Sequence, residues 1–266
     1  MSASSRKILA VANEKGGVGK TATVLGLASS IAASGKRVLL VDMDPQANAT
    51  RGVGLSADDV DGLQTTYDLM SKTAPGSAAG AISASQWDLV DIIPGVKNLS
   101  DSGADGANDL IYRLADAFEG VDLSAYAVVL IDCAPTLGKL LYAPLVAADG
   151  VVIVAEPTID GVQGVIDLEE TVENVKRRAN PNIQIEKIVI SRCRRTGEHG
   201  SRESDLRADY GDLVATTIIP ELAARQDAHS AHMPIHLFRG GKSLALQIAY
   251  DDLLSELDLE PQEAMA

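Results

Sequence analysis

Aromatic residues are nearly missing from this 266-residue chain: Phe, Trp and Tyr make up 3% of it, although 46% of its residues are hydrophobic. A core built from such a chain has to be packed from Val, Ile, Leu and Ala, which suit buried strands and the helices that cover them. Cysteine is equally scarce. Cys133 and Cys193 are too few for a disulfide framework and lack metal-ligand spacing, so a reducing, cytoplasmic setting is expected. No apolar run reaches roughly 18 residues, and the N-terminus has no apolar stretch of the signal-peptide kind. Both absences argue against secretion and membrane spanning.

Basic charge is short as well. With 37 acidic against 23 basic residues, the formal charge is −14, which favours solubility and argues against a general nucleic-acid binder. The shortage is uneven. Between Lys176 and Arg225 ten basic residues stand against seven acidic ones, so a local DNA footprint stays open. The length allows one large α/β domain or two small ones, and no internal repeat or linker divides it. A single domain over residues 1–266 is the expectation.

The chemistry that is present gathers between Ile8 and Thr21. An apolar run of strand length, Ile8 to Ala12, empties into Asn13-Glu14-Lys15-Gly16-Gly17-Val18-Gly19-Lys20-Thr21, and an alanine-rich helical stretch follows. That is the layout of a phosphate-binding loop. Gly16, Gly17 and Gly19 carry no Cβ, so consecutive backbone N–H groups can close on phosphate oxygens. A helix opening at Lys20 adds its unpaired N–H groups and the positive end of its dipole. Lys20 is placed to reach the β- and γ-phosphates, and Thr21 to offer its hydroxyl to Mg²⁺. The general pattern asks for glycine where this chain has Glu14. What fits is a variant headed by Lys15, K-G-G-x-G-K-[ST]; a mere flexible turn would need one glycine and no lysines.

Along the chain, apolar strands alternate with helical lengths. Strands are expected at 7–12, 37–41, 87–93, 128–132, 151–154, 187–191 and 213–219, and helices at 21–34, 63–72, from Ala107 to Phe118, 159–178, 203–210 and 243–257. Residues 46 to 86 hold an Ala/Gly/Ser/Pro-rich stretch that reads as a mobile insertion. The alternation predicts an α/β fold, a mostly parallel twisted sheet with helices on both faces, and places ligands at the carboxyl ends of the strands. Asp42 and Asp44 end one strand, and Asp132 ends another after Val128-Val129-Leu130-Ile131. In a phosphate-loop enzyme an acid at the Asp132 position holds Mg²⁺, directly or through water. The closing helix has an acidic polar face (Asp251, Asp252, Glu256, Asp258), so docking to an anionic membrane is not expected.

Four segments together resemble the ParA/Soj partition ATPases of the deviant Walker A class. They are the Lys15-headed loop; Asp42-Met43-Asp44-Pro45-Gln46-Ala47-Asn48-Ala49-Thr50; Ile131-Asp132-Cys133-Ala134-Pro135-Thr136-Leu137-Gly138; and Ile219-Pro220. The Asp-Pro-Gln-x-Asn-x-Thr run discriminates best, because MinD-like and nitrogenase-iron-protein relatives share the loop but not that run. The resemblance implies an ATP- and Mg²⁺-dependent homodimer in which two nucleotides are sandwiched. By it, Lys15 reaches the partner's nucleotide, Lys20 and Thr21 serve phosphate and Mg²⁺, and Asp44 positions the attacking water. Asp42 and Asp132 support the metal, and Val18, Ala22 and Pro220 join the nucleotide contacts.

The resemblance also implies a ParB-type centromere-binding partner and non-specific binding to double-stranded DNA, hence a nucleoid-associated protein. Arg195-Thr196 falls where the family has a DNA-contacting Arg-Thr pair, and Arg192, Arg194, Arg207 and Arg225 are further candidates, with Arg202 nearby. Some residues depart from the pattern. Ala22 replaces the second threonine usual after the loop, Glu14 stands where glutamine is common, Glu221 reverses the usual arginine after the proline, and Asp227-Ala228-His229 replaces Glu-Ala-Pro. With the first strand starting by residue 7, an N-terminal DNA-binding domain and self-repression through it are not expected. Two other readings are a DNA-independent positioning switch for protein cargo or the division site, and a redox ATPase like the nitrogenase iron protein, bridging a cluster through its cysteines.

Overall fold

Runs of Val, Ile and Leu too short for helices, and bounded by Gly, Asp or Pro, become the strands. In the computed structural model, which describes residues 6–71, 74–104, 107, 109–135, 138–257 and 259, they are β1 (Ile8–Ala12), β2 (Val38–Met43), β3 (Ser83–Ala84), β4 (Val90–Ile93), β5 (Val128–Cys133), β6 (Gly150–Ala155), β7 (Gln184–Cys193) and β8 (Val214–Pro220). They form one sheet in the order β3-β4-β2-β5-β1-β6-β7-β8, parallel except for β3. Lys72, Thr136, Leu137 and Asp258, which carried parts of the sequence reading, lie outside the described residues.

The helices are α1 (Lys20–Ala33), α2 (Asn48–Gly52), α3 (Ala57–Val60), α4 (Thr66–Ser71), α5 (Ala78–Ala81), α6 (Leu99–Ala104), α7 (Arg113–Phe118), α8 (Lys139–Ala147), α9 (Ile159–Arg178), α10 (Gly197–Tyr210), α11 (Ala223–Ser230) and α12 (Ser243–Glu256). Because successive strand residues point to opposite faces, each central strand feeds two cores. Ile8, Ala10 and Ala12 pack with α4, α7, α8 and α9, while Leu9 and Val11 pack with α1 and α12. Gly26 makes the second core possible: a Cβ there would lie 2.3 Å from the Tyr250 ring, so only glycine lets α12 close on α1. β1 sits between β5 and β6, the point where the strand order reverses, and this opens a crevice at their carboxyl ends.

The expected fold is present, with local corrections. Residues 46–86 are not a loose insertion, since α2 to α5 bury Val53, Val60, Leu69, Met70, Ala78 and Ala81. Trp87 does not begin a strand. Leu89 takes a left-handed φ of 64°, which keeps extended pairing from starting before Val90, and the indole Nε1 donates to the His232 carbonyl at 2.8 Å. The helix expected from residue 203 starts at Gly197, capped by the Thr196 hydroxyl, with Gly197 and Gly200 masking its propensity in the sequence. α8 and α11 were not expected at all. α8 is apolar all round and contains Pro144, so it shows no helical period.

Candidate functional site

The glycine-rich loop leaves β1 at the reversal point and is braced from inside by Asn13. The Asn13 amide donates to the Val154 carbonyl at 2.8 Å and accepts from the Lys15 N–H at 2.8 Å, tying the loop to β6. Sequence reasoning passed over Asn13; its one signal was an amide placed directly after an apolar strand. Gly19 then takes φ 105°, and a Cβ on it would meet Ser191 Oγ at 2.6 Å, so no other residue fits the turn. α1 starts at Lys20 without a side-chain cap, leaving its first N–H groups for an anion. Inside the loop, Lys20 Nζ donates to the carbonyls of Asn13 (2.9 Å) and Lys15 (2.8 Å). Burial lowers the Lys20 pKa, while Asp132, Cys133 and Asp44 pull it back up. The ammonium is thus held within a ring of carbonyls and acids at the mouth of α1.

Three aspartates surround it, in different environments. Asp42 is fully buried and turned into its own loop: Thr50 donates to it through N–H (2.8 Å) and hydroxyl (2.7 Å), and the Asp44 N–H donates at 3.2 Å. The Asp42 carboxylate thereby organises the segment that carries Asp44. Asp44 is 8% exposed, accepts from the Gln46 N–H at 2.9 Å, and lines the cavity described below. Asp132 is 1% exposed, and neither carboxylate oxygen has a hydrogen-bond partner among the described residues. Two buried oxygens with only the Thr21 hydroxyl beside them suit a divalent cation or a cation's water.

Burial raises the pKa of Asp132 well above the carboxylate range, helped by the Asp42 and Asp44 charges and opposed by Thr21 and Lys20. Burial likewise pushes Asp42 up to about 6, against the hydrogen bonds from Thr50 and Asp44. Carboxyls whose pKa rises on folding bind more protons in the folded state, so both groups cost stability as pH climbs from about 4 towards neutrality. Asp132→Asn is therefore expected to raise the melting temperature of the nucleotide-free protein at pH 7.5, and to abolish the further rise that Mg²⁺ adds to that from ATP. Differential scanning fluorimetry with and without Mg²⁺ measures both shifts. A variant that keeps the Mg²⁺ increment would remove Asp132 from the metal's surroundings.

A cavity of about 610 Å³ runs from Gly17, Gly19, Lys20, Thr21 and Ala22 past Asp44 and Asn48, and ends against α11, Met233 and Tyr250. Of the residues expected at the nucleotide, Gly16, Val18 and Pro220 do not line it. Val18 is buried beneath the loop, and Pro220 ends β8 opposite Cys193, so the far wall is made by Arg225, Gln226, Ala228, His229 and Ser230 instead. Lys15 is half-buried, with its aliphatic stem against Gly164 of α9 and its ammonium unpaired among the described residues. Glu14 accepts from the Thr171 hydroxyl of α9 at 2.9 Å.

The arginine candidates separate. Arg225 lines the cavity, as does Arg192, whose Nη1 donates to the Gly17 carbonyl at 2.5 Å. Arg192 and Arg194 both pair with Glu221 and with Glu156. Arg202 pairs with Asp205, and Arg207 with Glu203 and the Ala215 carbonyl. Arg195 alone of these is exposed and unpaired among the described residues, beside the Thr196 cap. Cys133 is buried in the core at the end of β5, and Cys193 ends β7, two strands beyond β1.

The AAA domain family model matches residues 6–185. The chromosome partitioning protein ParA of Caulobacter vibrioides is 33% identical over 273 residues, spanning 99% of this chain and 100% of its own. The sporulation initiation inhibitor protein Soj of Bacillus subtilis is 34% identical, over 87% of this chain and 91% of its own. Among solved structures, the Mycobacterium smegmatis cobyrinic acid a,c-diamide synthase with bound ATP analogue and magnesium matches with a TM-score of 0.76 at 26% identity, covering 94% of this chain and 93% of that one.

Proposed function

The chain belongs to the ParA-type P-loop ATPases, and on that premise we propose that it is a DNA-partition ATPase: it pairs through bound ATP, coats DNA without sequence preference, and is discharged by a ParB-type partner. The observation that carries this is the buried Lys20 ammonium at the open N-terminus of α1, facing a cavity that also receives Thr21 and Asp44. The loop's N–H groups and Lys20 would hold the phosphates, and Thr21 with Asp132 would hold Mg²⁺, which when bound offsets charge on the transferring phosphoryl group. Asp44 would orient the attacking water. Transfer of this kind needs neutralised charge and an oriented water more than covalent help. The unpaired Lys15 ammonium is free to reach a second copy's nucleotide, which would make hydrolysis depend on pairing. The 1–266 chain would act as one domain, nucleoid-bound while it carries ATP.

DNA contact in this proposal rests on Arg195. Arg195→Ala is expected to weaken ATP-dependent binding to unrelated duplex DNA several-fold and to reduce the slope of log affinity against log salt by about one, with basal hydrolysis unchanged. Gel shifts over a salt series read both; an unaltered slope would take Arg195 out of the footprint. One observation favours the DNA-independent positioning switch as the second reading: Arg192 and Arg194 are neutralised by Glu156 and Glu221, which leaves a thin basic surface. Absence of any ATP-dependent shift in wild-type protein would select it.

A further inference from the structure

We propose that Arg192 is a phosphate-binding residue of the nucleotide site, presented by Glu221, and that it takes no part in DNA contact. The proposal rests on the nucleotide-binding reading of the same cavity and assigns it a cation that neither the loop motif nor the acidic strand ends account for. Arg192 ends the buried part of β7 in a left-handed conformation, φ 55°, which turns its side chain away from the strand direction and back across the loop. Such a φ is costly for a residue with a Cβ, so something must hold it.

Glu221 does the holding. β7 and β8 are in register at Cys193 and Pro220, and the Glu221 N–H donates to the Cys193 carbonyl at 3.1 Å, which sets the Glu221 carboxylate beside both flanking arginines. Glu221 Oε1 accepts from Arg192 Nη2 at 2.8 Å and Nε at 3.3 Å, and Oε2 accepts from Arg194. Arg192 is the first cause keeping the Glu221 pKa low, so the carboxylate stays ionised and the clamp charged. With the Nε/Nη2 edge occupied, the planar guanidinium aims Nη1 at the Gly17 carbonyl on the cavity wall, with Glu156 Oε2 3.6 Å to its side. A neutral carbonyl is a weaker acceptor for a guanidinium than a phosphate oxygen, and the Gly17 bond can be exchanged for one.

The arrangement also accounts for the acid at 221, where the resemblance leads one to expect arginine. Here the residue after Pro220 anchors the Arg192 cation of β7. An arginine with three of its nitrogens turned inward in this way is a poor DNA ligand.

Equilibrium titration of a fluorescent ATP analogue with Mg²⁺, together with the DNA salt series, tests this. Arg192→Met is expected to weaken nucleotide binding about tenfold or more, Arg192→Lys to recover part of the loss, and Glu221→Gln to weaken it less than Arg192→Met. None should alter the salt slope for DNA. Circular dichroism melts separate binding loss from unfolding; should Arg192→Met fail to fold, the Arg192→Lys and Glu221→Gln affinities decide. Nucleotide affinity within twofold of wild type in the folded variants, or a salt slope lowered by about one, would overturn the assignment. If wild-type protein itself takes up no nucleotide, the underlying reading fails, and the assignment goes with it.

Discussion

Lys20→Ala is expected to lower affinity for Mg·ATP at least about 100-fold, roughly 3 kcal/mol, which is what a charged hydrogen bond to a phosphate contributes in a site screened from water. The side chain is 6% exposed, and its ammonium is already in place on two loop carbonyls, so little ordering is needed when a phosphate arrives. Alanine removes that charge and with it a cation that pulls the Asp132 pKa down. Its loss would move the Asp132 pKa further up, which disfavours the ionised carboxylate that Mg²⁺ needs. Nucleotide and metal binding should therefore fail together in isothermal titration, with ADP affected as well as ATP. Uptake of ATP within about threefold of wild type would remove the phosphate loop as the centre of the molecule.

Much of this site can be read in the sequence because it depends on backbone geometry, and backbone geometry depends on residue type. Glycine at 17 and 19 and lysine at 20 leave few alternatives, and the structure gathers Gly17, Gly19, Lys20, Thr21 and Asp44 around one cavity, while Asp132, the acid after the four-residue apolar run, is buried outside that lining. The alternation of strands and helices was legible for the same reason, since buried parallel strands are continuous apolar runs. What stayed hidden depends on long-range pairing. Arg192 and Glu221 are 29 residues apart and meet only because β7 and β8 are neighbours. Read along the chain, Arg192, Arg194 and Arg195 form one basic cluster; in space two are neutralised and only Arg195 is unpaired among the described residues. The bracing of Asp42 by Thr50 was hidden in the same way, because the two lie eight residues apart across a loop. α8 and α11 escaped for a different reason: one has no polar face and the other is only eight residues long.

Asp44→Ala separates binding from chemistry, and its expected effect is the second largest: hydrolysis reduced at least about 100-fold, in the range lost when a positioned acid–base group is removed, with Mg·ATP affinity kept within a few-fold. The carboxylate lines the cavity and makes no hydrogen bond or ion pair to Lys20 among the described residues, so its loss should leave the phosphate grip intact. Light scattering with saturating ATP should then find the variant as a stable dimer, whereas Lys20→Ala stays single under the same conditions. Alanine also removes the acceptor for the Gln46 N–H, which makes some loosening of the 44–50 loop a rival cause of any rate loss. Asp44→Asn settles that, because its amide oxygen keeps the Gln46 bond while the charge is gone. Single-turnover phosphate release should be as slow for Asp44→Asn as for Asp44→Ala if the charge orients the water. A rate near wild type in the asparagine variant would reduce Asp44 to a loop brace, and wild-type hydrolysis in the alanine variant would end its role altogether.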